Sequence, residues 1–131
     1  MSPELQTSPS QHQQQAEHNE QLARCLVADE PAWSTTIAFY AALHYVAEYA
    51  CMRREELYSH PETERYIQRT KELRPIGRDY ASLYQYSRRA RYYCPGPNDQ
   101  VNTPSFVSTL LSRVGYIHSH IAKQKAKLPK P

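Results

Sequence analysis

Three side chains near the carboxyl end of the sequence have types and spacing that suit acid–base chemistry. The stretch SRVGYIHSH places Arg113 five residues before His118 and seven before His120. An imidazole can exchange a proton near neutral pH, and a guanidinium can stabilise negative charge that develops in a reaction. Residues seven apart on a helix lie within about 20° of each other, so Arg113 and His120 share a flank while His118 falls at the edge of the apolar stripe. These three residues are the candidate catalytic group.

The spacing of the histidines and cysteines argues against a metal site. His118 and His120 are two residues apart and cannot both face one ion from a regular helix, and no HxxxH motif accompanies them. The cysteines (Cys25, Cys51, Cys94) are scattered without a CxxC pair, so we expect small buried side chains in a reducing compartment. The sequence therefore predicts no metal, and it predicts no cofactor.

A further histidine, His44, lies in the most apolar stretch of the chain, TIAFYAALHYVAEYA (36–50). At 100° per residue it shares a helical stripe with Trp33 and Tyr40. Glu48, one turn later, could accept the imidazole proton, so His44 and Glu48 are predicted as polar members of the core. The alternative is a histidine that lines a cleft between helices. The eleven tyrosines fit both interpretations, because tyrosine rings suit helix interfaces and also stack on nucleic-acid bases.

Arginines in and before the fourth predicted helix form a candidate phosphate-binding surface. Arg88 and Arg89 of SRRARYY point outward, and Arg74 and Arg78 share one broad side of the helix with Arg89. Arg91 falls at the edge of the apolar stripe. The alternative is an exposed basic face that pairs with acidic residues of the amino-terminal half.

The elements that position these residues are predicted to be helices, because apolar residues recur every three or four positions and no window alternates. Residues 1–10 are polar and expected to be disordered, residues 11–126 form an all-α, up-and-down bundle of four to five helices, and residues 127–131 are a basic tail. The predicted helices span about residues 11–27, 32–54, 59–72, 75–92 and 103–125.

Prolines and hydroxyl residues mark where these helices begin. Ser59 and Thr103 are predicted N-caps, each shortly before a proline that suits a first helical turn. Pro75 is predicted to open the fourth helix. The segment CPGPNDQVNTP (94–104), with three prolines and a glycine, is predicted not to be helical.

The length of 131 residues suits one domain, and its charge is uneven. Residues 1–48 hold one basic and six acidic side chains, whereas residues 49–131 hold fifteen basic and seven acidic ones. A half this basic could contact phosphate backbones. Since the sequence has no long apolar run and no leader pattern, we expect a cytoplasmic protein that does not enter a membrane.

Three ordered blocks, WSTTIAFYAALHYVAEYA, SHPETERYI and YASLYQYSRRARYY, are similar to the small helical HEPN domains of bacteria and archaea. The resemblance covers about residues 16–93. It implies a bundle of four to five helices that is usually a homodimer. Many such domains are metal-independent ribonucleases of toxin–antitoxin, phage-defence or CRISPR-linked systems, with an arginine followed four to six residues later by a histidine in the last helix.

Carried over to this chain, the resemblance implies His118 or His120 as general acid or base and Arg113 as the group that stabilises charge on the phosphorane. The polar residue that usually follows the family's arginine is absent here, since Val114 and Gly115 stand in its place. Two functions therefore remain open. One is an RNA-binding domain that acts as a metal-independent endoribonuclease, and the other is a non-catalytic subunit that docks a partner in a larger defence complex.

Overall fold

The computed structural model describes residues 7–130, and within that range the chain forms five α-helices, two short 3-10 segments and no strand. The α-helices are α1 (Pro9–Leu26), α2 (Pro31–Met52), α3 (His60–Arg69), α4 (Gly77–Tyr92) and α5 (Pro104–Ala126). The predicted all-α class and helix number are confirmed. Most of the segment expected to be disordered, residues 1–6, lies outside the described range, as does residue 131.

Local signals at the helix starts agree with the sequence at α3 and differ at α5. The Ser59 hydroxyl accepts a hydrogen bond from the Glu62 amide, as an N-cap should. Thr103 occupies the N-cap position of α5, but its hydroxyl donates to the carbonyl of Asp99. Asp99 in turn caps a 3-10 turn at Gln100–Asn102, so the segment predicted to lack helix contains one short turn of it.

The region between α3 and α4 also differs from the prediction. The third helix ends at Arg69, and Lys71–Ile76 forms a 3-10 segment that contains Pro75. Proline lacks an amide hydrogen and its ring clashes with the carbonyl four residues earlier in an α-helix, so Pro75 does not suit the interior of a regular α-helix. The helix α4 therefore begins at Gly77, two residues later than predicted.

Helix α2 lies at the centre of the bundle and touches all four other helices. Its small buried residues, Ala38, Ala41, Ala42 and Ala50, have no exposed surface and so let neighbouring helices approach closely. The facing side of α5 contributes a buried stripe made of Val107, Leu110, Leu111, Val114, Ile117 and Ile121.

The three cysteines differ in exposure. Cys51 is buried, but Cys25 and Cys94 are exposed, so the expectation of three buried cysteines is wrong for two of them. None of the helices within residues 7–130 combines the length and the apolar character needed to cross a membrane.

Candidate functional site

Two members of the predicted catalytic group, Arg113 and His120, turn toward α4 and the 3-10 segment before it. The Arg113 guanidinium donates to a carboxylate oxygen of Asp79 at 3.0 Å. His120 Nε2 donates to the backbone carbonyl of Glu72 at 2.6 Å. Both side chains are thus held by partners within the same bundle.

The third member, His118, turns the other way, toward α1 and α2. Its ring stacks on Tyr45 with centroids 4.3 Å apart, and its Nδ1 lies 3.1 Å from the Glu20 carboxylate. Glu20 also accepts a hydrogen bond from the Tyr45 hydroxyl at 2.6 Å and pairs with Arg24 at 2.8 Å. The structure therefore separates His118 from the other two residues and places a different arginine beside it.

The contacts of Glu20 define how the His118 ring is oriented. Burial opposes ionisation of Glu20, but hydrogen bonds from Tyr45 and Arg24 outweigh it and lower the pKa of the carboxyl. A carboxylate can only accept hydrogen bonds, so the proton of the neutral imidazole is assigned to Nδ1. The Nε2 lone pair of His118 is then the free end of a positioned base.

The four arginines predicted to bind phosphate, Arg74, Arg78, Arg88 and Arg89, are all exposed but do not form one uniform strip. Arg89 pairs with Asp99 at 2.7 Å, and Arg74 Nε donates to the carbonyl of Gln68. Arg88 lies over the ring of Tyr84, 5.9 Å from its centroid. The charge of Arg89 is therefore partly neutralised within the chain.

The expected pair of His44 with Glu48 is replaced by two other contacts. His44 Nδ1 lies 3.0 Å from Nδ1 of His12 in α1, and Glu48, which is 2% exposed, pairs with Lys125 of α5 at 2.5 Å. Four residues along a helix is a rotation of about 40° beyond a full turn. That rotation brings Glu48 into contact with α5 and leaves His44 half-buried at the edge of a cavity.

This cavity, which we call the aromatic cleft, has a volume of about 410 Å³ and is enclosed by α2, the first turns of α1 and α3, and the end of α4. A volume of this order is typical of small-molecule and cofactor sites. Its lining is dominated by rings and one guanidinium, chiefly those of His12, Tyr40, His44, His60, Tyr84 and Arg91.

Arg91 is the principal charge of the aromatic cleft. It donates hydrogen bonds to the Tyr40 hydroxyl at 3.0 Å and to the carbonyl and hydroxyl of Ser87, both at 3.2 Å. Its guanidinium carbon lies within 6 Å of the ring centroids of Phe39, Tyr40 and Tyr92. Within residues 7–130 Arg91 makes no ion pair, and no Asp or Glu lines the cleft. Its positive charge is therefore available to an anion.

The three imidazoles of the cleft favour their neutral forms. Burial lowers the pKa of His12, His44 and His60; Glu56 partly offsets the effect at His12, and Glu64 does so at His60. In the contact between His12 and His44, one Nδ1 must donate and the other accept, so the two rings hold opposite tautomers. Near pH 7 these rings provide hydrogen bonds and stacking surfaces.

Sequence analysis pointed to only part of this cleft. The sequence identifies Tyr40 and His44 on one stripe and places Arg91 at a stripe edge, but it does not indicate His12 or His60. Only the association of helices brings them together, because His12 and His44 are 32 residues apart in the chain.

No family model and no curated protein matches this chain. The function is therefore inferred from the geometry of the two groups described above. The aromatic cleft offers ring faces, neutral imidazoles and one cation, which together suit an anionic ligand that carries planar rings. The group around Glu20 and His118 offers a positioned base.

Proposed function

We propose that the protein binds single-stranded RNA through the aromatic cleft. The observation that carries this proposal is Arg91, a cation without an ion pair in the described chain, surrounded by rings in a cleft that has no acidic lining residue. Single-stranded nucleic acids are bound by grooves of this composition, in which bases stack on aromatic side chains and cations contact the backbone.

Exposed aromatic residues around the cleft provide the stacking surfaces that the proposal needs. Tyr58 is 72% exposed and Tyr92 is 65% exposed, and both line the cleft. Arg88, on the ring of Tyr84, adds a second cation at the rim. Base stacking on such rings contributes about 1–3 kcal/mol per base.

The similarity to HEPN domains gives the proposal a second support, since RNA is the usual ligand of that family and its fold is an all-α bundle. On the same basis we propose that the protein is cytoplasmic and acts as a homodimer or as a subunit of a defence or toxin–antitoxin complex. The free cysteines are typical of a reducing compartment.

A binding measurement tests the proposal. Fluorescence anisotropy of a labelled oligouridine should show binding that weakens with added salt. We expect Tyr92→Ala to weaken binding about tenfold, which corresponds to roughly 1.4 kcal/mol of lost stacking. Tyr116→Ala is the control, because Tyr116 is an exposed tyrosine of α5 outside the cleft. Equal losses in the two variants, or no salt-dependent binding, would contradict the proposal.

A second candidate function, metal-independent RNA cleavage, is favoured by the carboxylate that orients His118. In this reaction His118 Nε2 removes the proton of a ribose 2′-hydroxyl and the 2′-oxygen forms a bond to phosphorus. The bond from phosphorus to the 5′-oxygen breaks, and the leaving 5′-oxygen takes a proton from water. Arg24, which shares Glu20 with His118, would stabilise the phosphorane charge in place of the predicted Arg113.

Cleavage of labelled RNA in the presence of a chelator tests this second function. His118→Gln should abolish cleavage, while Arg113→Ala and His120→Ala should leave it within about twofold, because these side chains face α4 and the 3-10 segment before it. The reverse result would return the chemistry to Arg113 and His120. Absence of both cleavage and RNA binding would leave the remaining alternative, a non-catalytic subunit that docks a partner protein.

A further inference from the structure

Arg91 belongs to two cavities. Besides the aromatic cleft it lines a smaller cavity of about 230 Å³, together with Ala32, Trp33 and Thr36 of α2 and Ala90 of α4. The smaller cavity, which we call the Trp33 pocket, lies toward the start of α2, and the aromatic cleft lies further along the same helix. Arg91 therefore contributes to the lining of both cavities.

Each cavity offers a ring from the same stripe of α2. Trp33 and Tyr40 are seven residues apart, so they lie on one face of the helix, about 10 Å from each other along its axis. Bases that remain stacked in a nucleic-acid strand are separated by only about 3.4 Å. Two neighbouring bases that each contacted one of these rings would have to be unstacked, as they are in single-stranded RNA bound to proteins.

The donors of Arg91 match a phosphate that lies between two such bases. A guanidinium has five N–H donors, and the described contacts of Arg91 use one each from Nε, Nη1 and Nη2. Two N–H groups are left, one on each terminal nitrogen. A guanidinium with both terminal nitrogens available can bind phosphate through two oxygens.

We propose that the two cavities form a dinucleotide site: one base stacks in the aromatic cleft, the next enters the Trp33 pocket, and Arg91 binds the phosphodiester that joins them. This inference rests on the proposed RNA-binding function and specifies its minimal ligand. It also gives a role to the exposed ring of Trp33, the only tryptophan of the chain, which is 61% exposed.

The single tryptophan allows a direct test, because all tryptophan fluorescence comes from Trp33. Titration with the dinucleotide UpU should change this emission and give an affinity at least tenfold higher than that of uridine monophosphate, since only the dinucleotide fills both cavities. In anisotropy measurements with labelled oligouridine, Trp33→Ala should weaken binding about tenfold and Trp33→Phe should retain most of it. Circular dichroism would verify that the variants are folded.

Tyr93→Ala is the matched control, since Tyr93 is similarly exposed at the end of α4 but lines neither cavity. The inference is overturned if oligouridine binds while Trp33 emission stays constant and Trp33→Ala keeps the wild-type affinity. In that case RNA binding through the aromatic cleft would still stand. If neither UpU nor oligouridine binds at low salt, both the inference and the proposed function fail.

Discussion

Glu48 is the most deeply buried carboxylate of the described chain, and the stability of the bundle depends on how its charge is compensated. Burial raises the pKa of its carboxyl, and the opposing effect of Lys125 does not fully compensate. One carboxylate oxygen, Oε1, has no hydrogen-bond partner within residues 7–130. The ion pair with Lys125 is therefore the main compensation for a buried charge.

Removing Lys125 should consequently destabilise the protein. We expect Lys125→Met to lower the free energy of unfolding by on the order of 3 kcal/mol, because it leaves the Glu48 charge buried and unpaired. The measurement is urea denaturation at neutral pH. The double variant Glu48→Leu/Lys125→Met is the control, since replacing both charges by apolar groups is often neutral. A single variant as stable as the wild type would show that Glu48 is compensated by another group.

At the scale of elements, the turn that follows α2 holds one residue, Arg54, in an unfavourable backbone conformation. Arg54 has φ of 64°, in the left-handed region that L-residues avoid. The amide of Glu55 bonds to the carbonyl of Ala50, and that of Arg54 bonds to the carbonyl of Cys51. This pattern is a Schellman motif, in which glycine usually occupies the position of Arg54.

Glycine at this position should stabilise the protein. Arg54→Gly is expected to raise the free energy of unfolding by about 1 kcal/mol, because glycine adopts positive φ without a steric penalty. The same substitution one residue earlier, Arg53→Gly, has no such gain, since the φ of Arg53 is −96°. Thermal denaturation of both variants measures the difference, and a melting temperature for Arg54→Gly at or below that of Arg53→Gly would contradict the expectation.

The elements were largely predictable from the sequence, and the site was predictable only in part. Helical periodicity and the cap at Ser59 are local signals, so they locate helices without knowledge of the fold. Pro75 suits a first helical turn and a 3-10 segment equally well, so the break there was misplaced. Whether the stripe of Trp33 and His44 faces core or cleft depends on where α3 and α4 pack, which spacing within α2 does not determine.

At the scale of the whole molecule, ion pairing between helices neutralises part of the uneven charge of the sequence. An acidic side chain of α2, Glu48, pairs with a basic side chain of α5, Lys125. Asp79 of α4 likewise pairs with Arg113. Arg91 takes part in no such pair within residues 7–130, so its charge faces the cleft and is not neutralised by another helix.

The histidines that join α1, α2 and α3 around the cleft should make stability depend on pH. The pKa values of His12, His44 and His60 are lowered in the folded state, so between about pH 6.5 and the lower folded values the unfolded chain binds more protons. The free energy of unfolding should be highest above pH 6.5 and fall on acidification, by up to about 1.4 kcal/mol per pH unit for each proton.

Denaturation at pH 7.5 and pH 5.5 measures this loss. The variant His12→Asn/His44→Asn should lose less stability between the two pH values, because it lacks two of the three groups. The raised pKa of Glu48 acts in the opposite direction in both proteins and cancels in the comparison. An equal loss in wild type and variant would assign the pH dependence to other groups.

The alanines on the buried side of α2 have a consequence for how this protein could change over time. Ala38, Ala42 and Ala50 leave no space for a larger side chain, whereas Trp33 and Tyr40 on the cleft side are partly open to solvent. The requirements of folding and, under the proposed function, those of ligand choice thus fall on opposite sides of one helix. Substitutions on the cleft side could alter which ligand is preferred while the bundle stays intact, so a scaffold of this kind could acquire a new specificity in single steps.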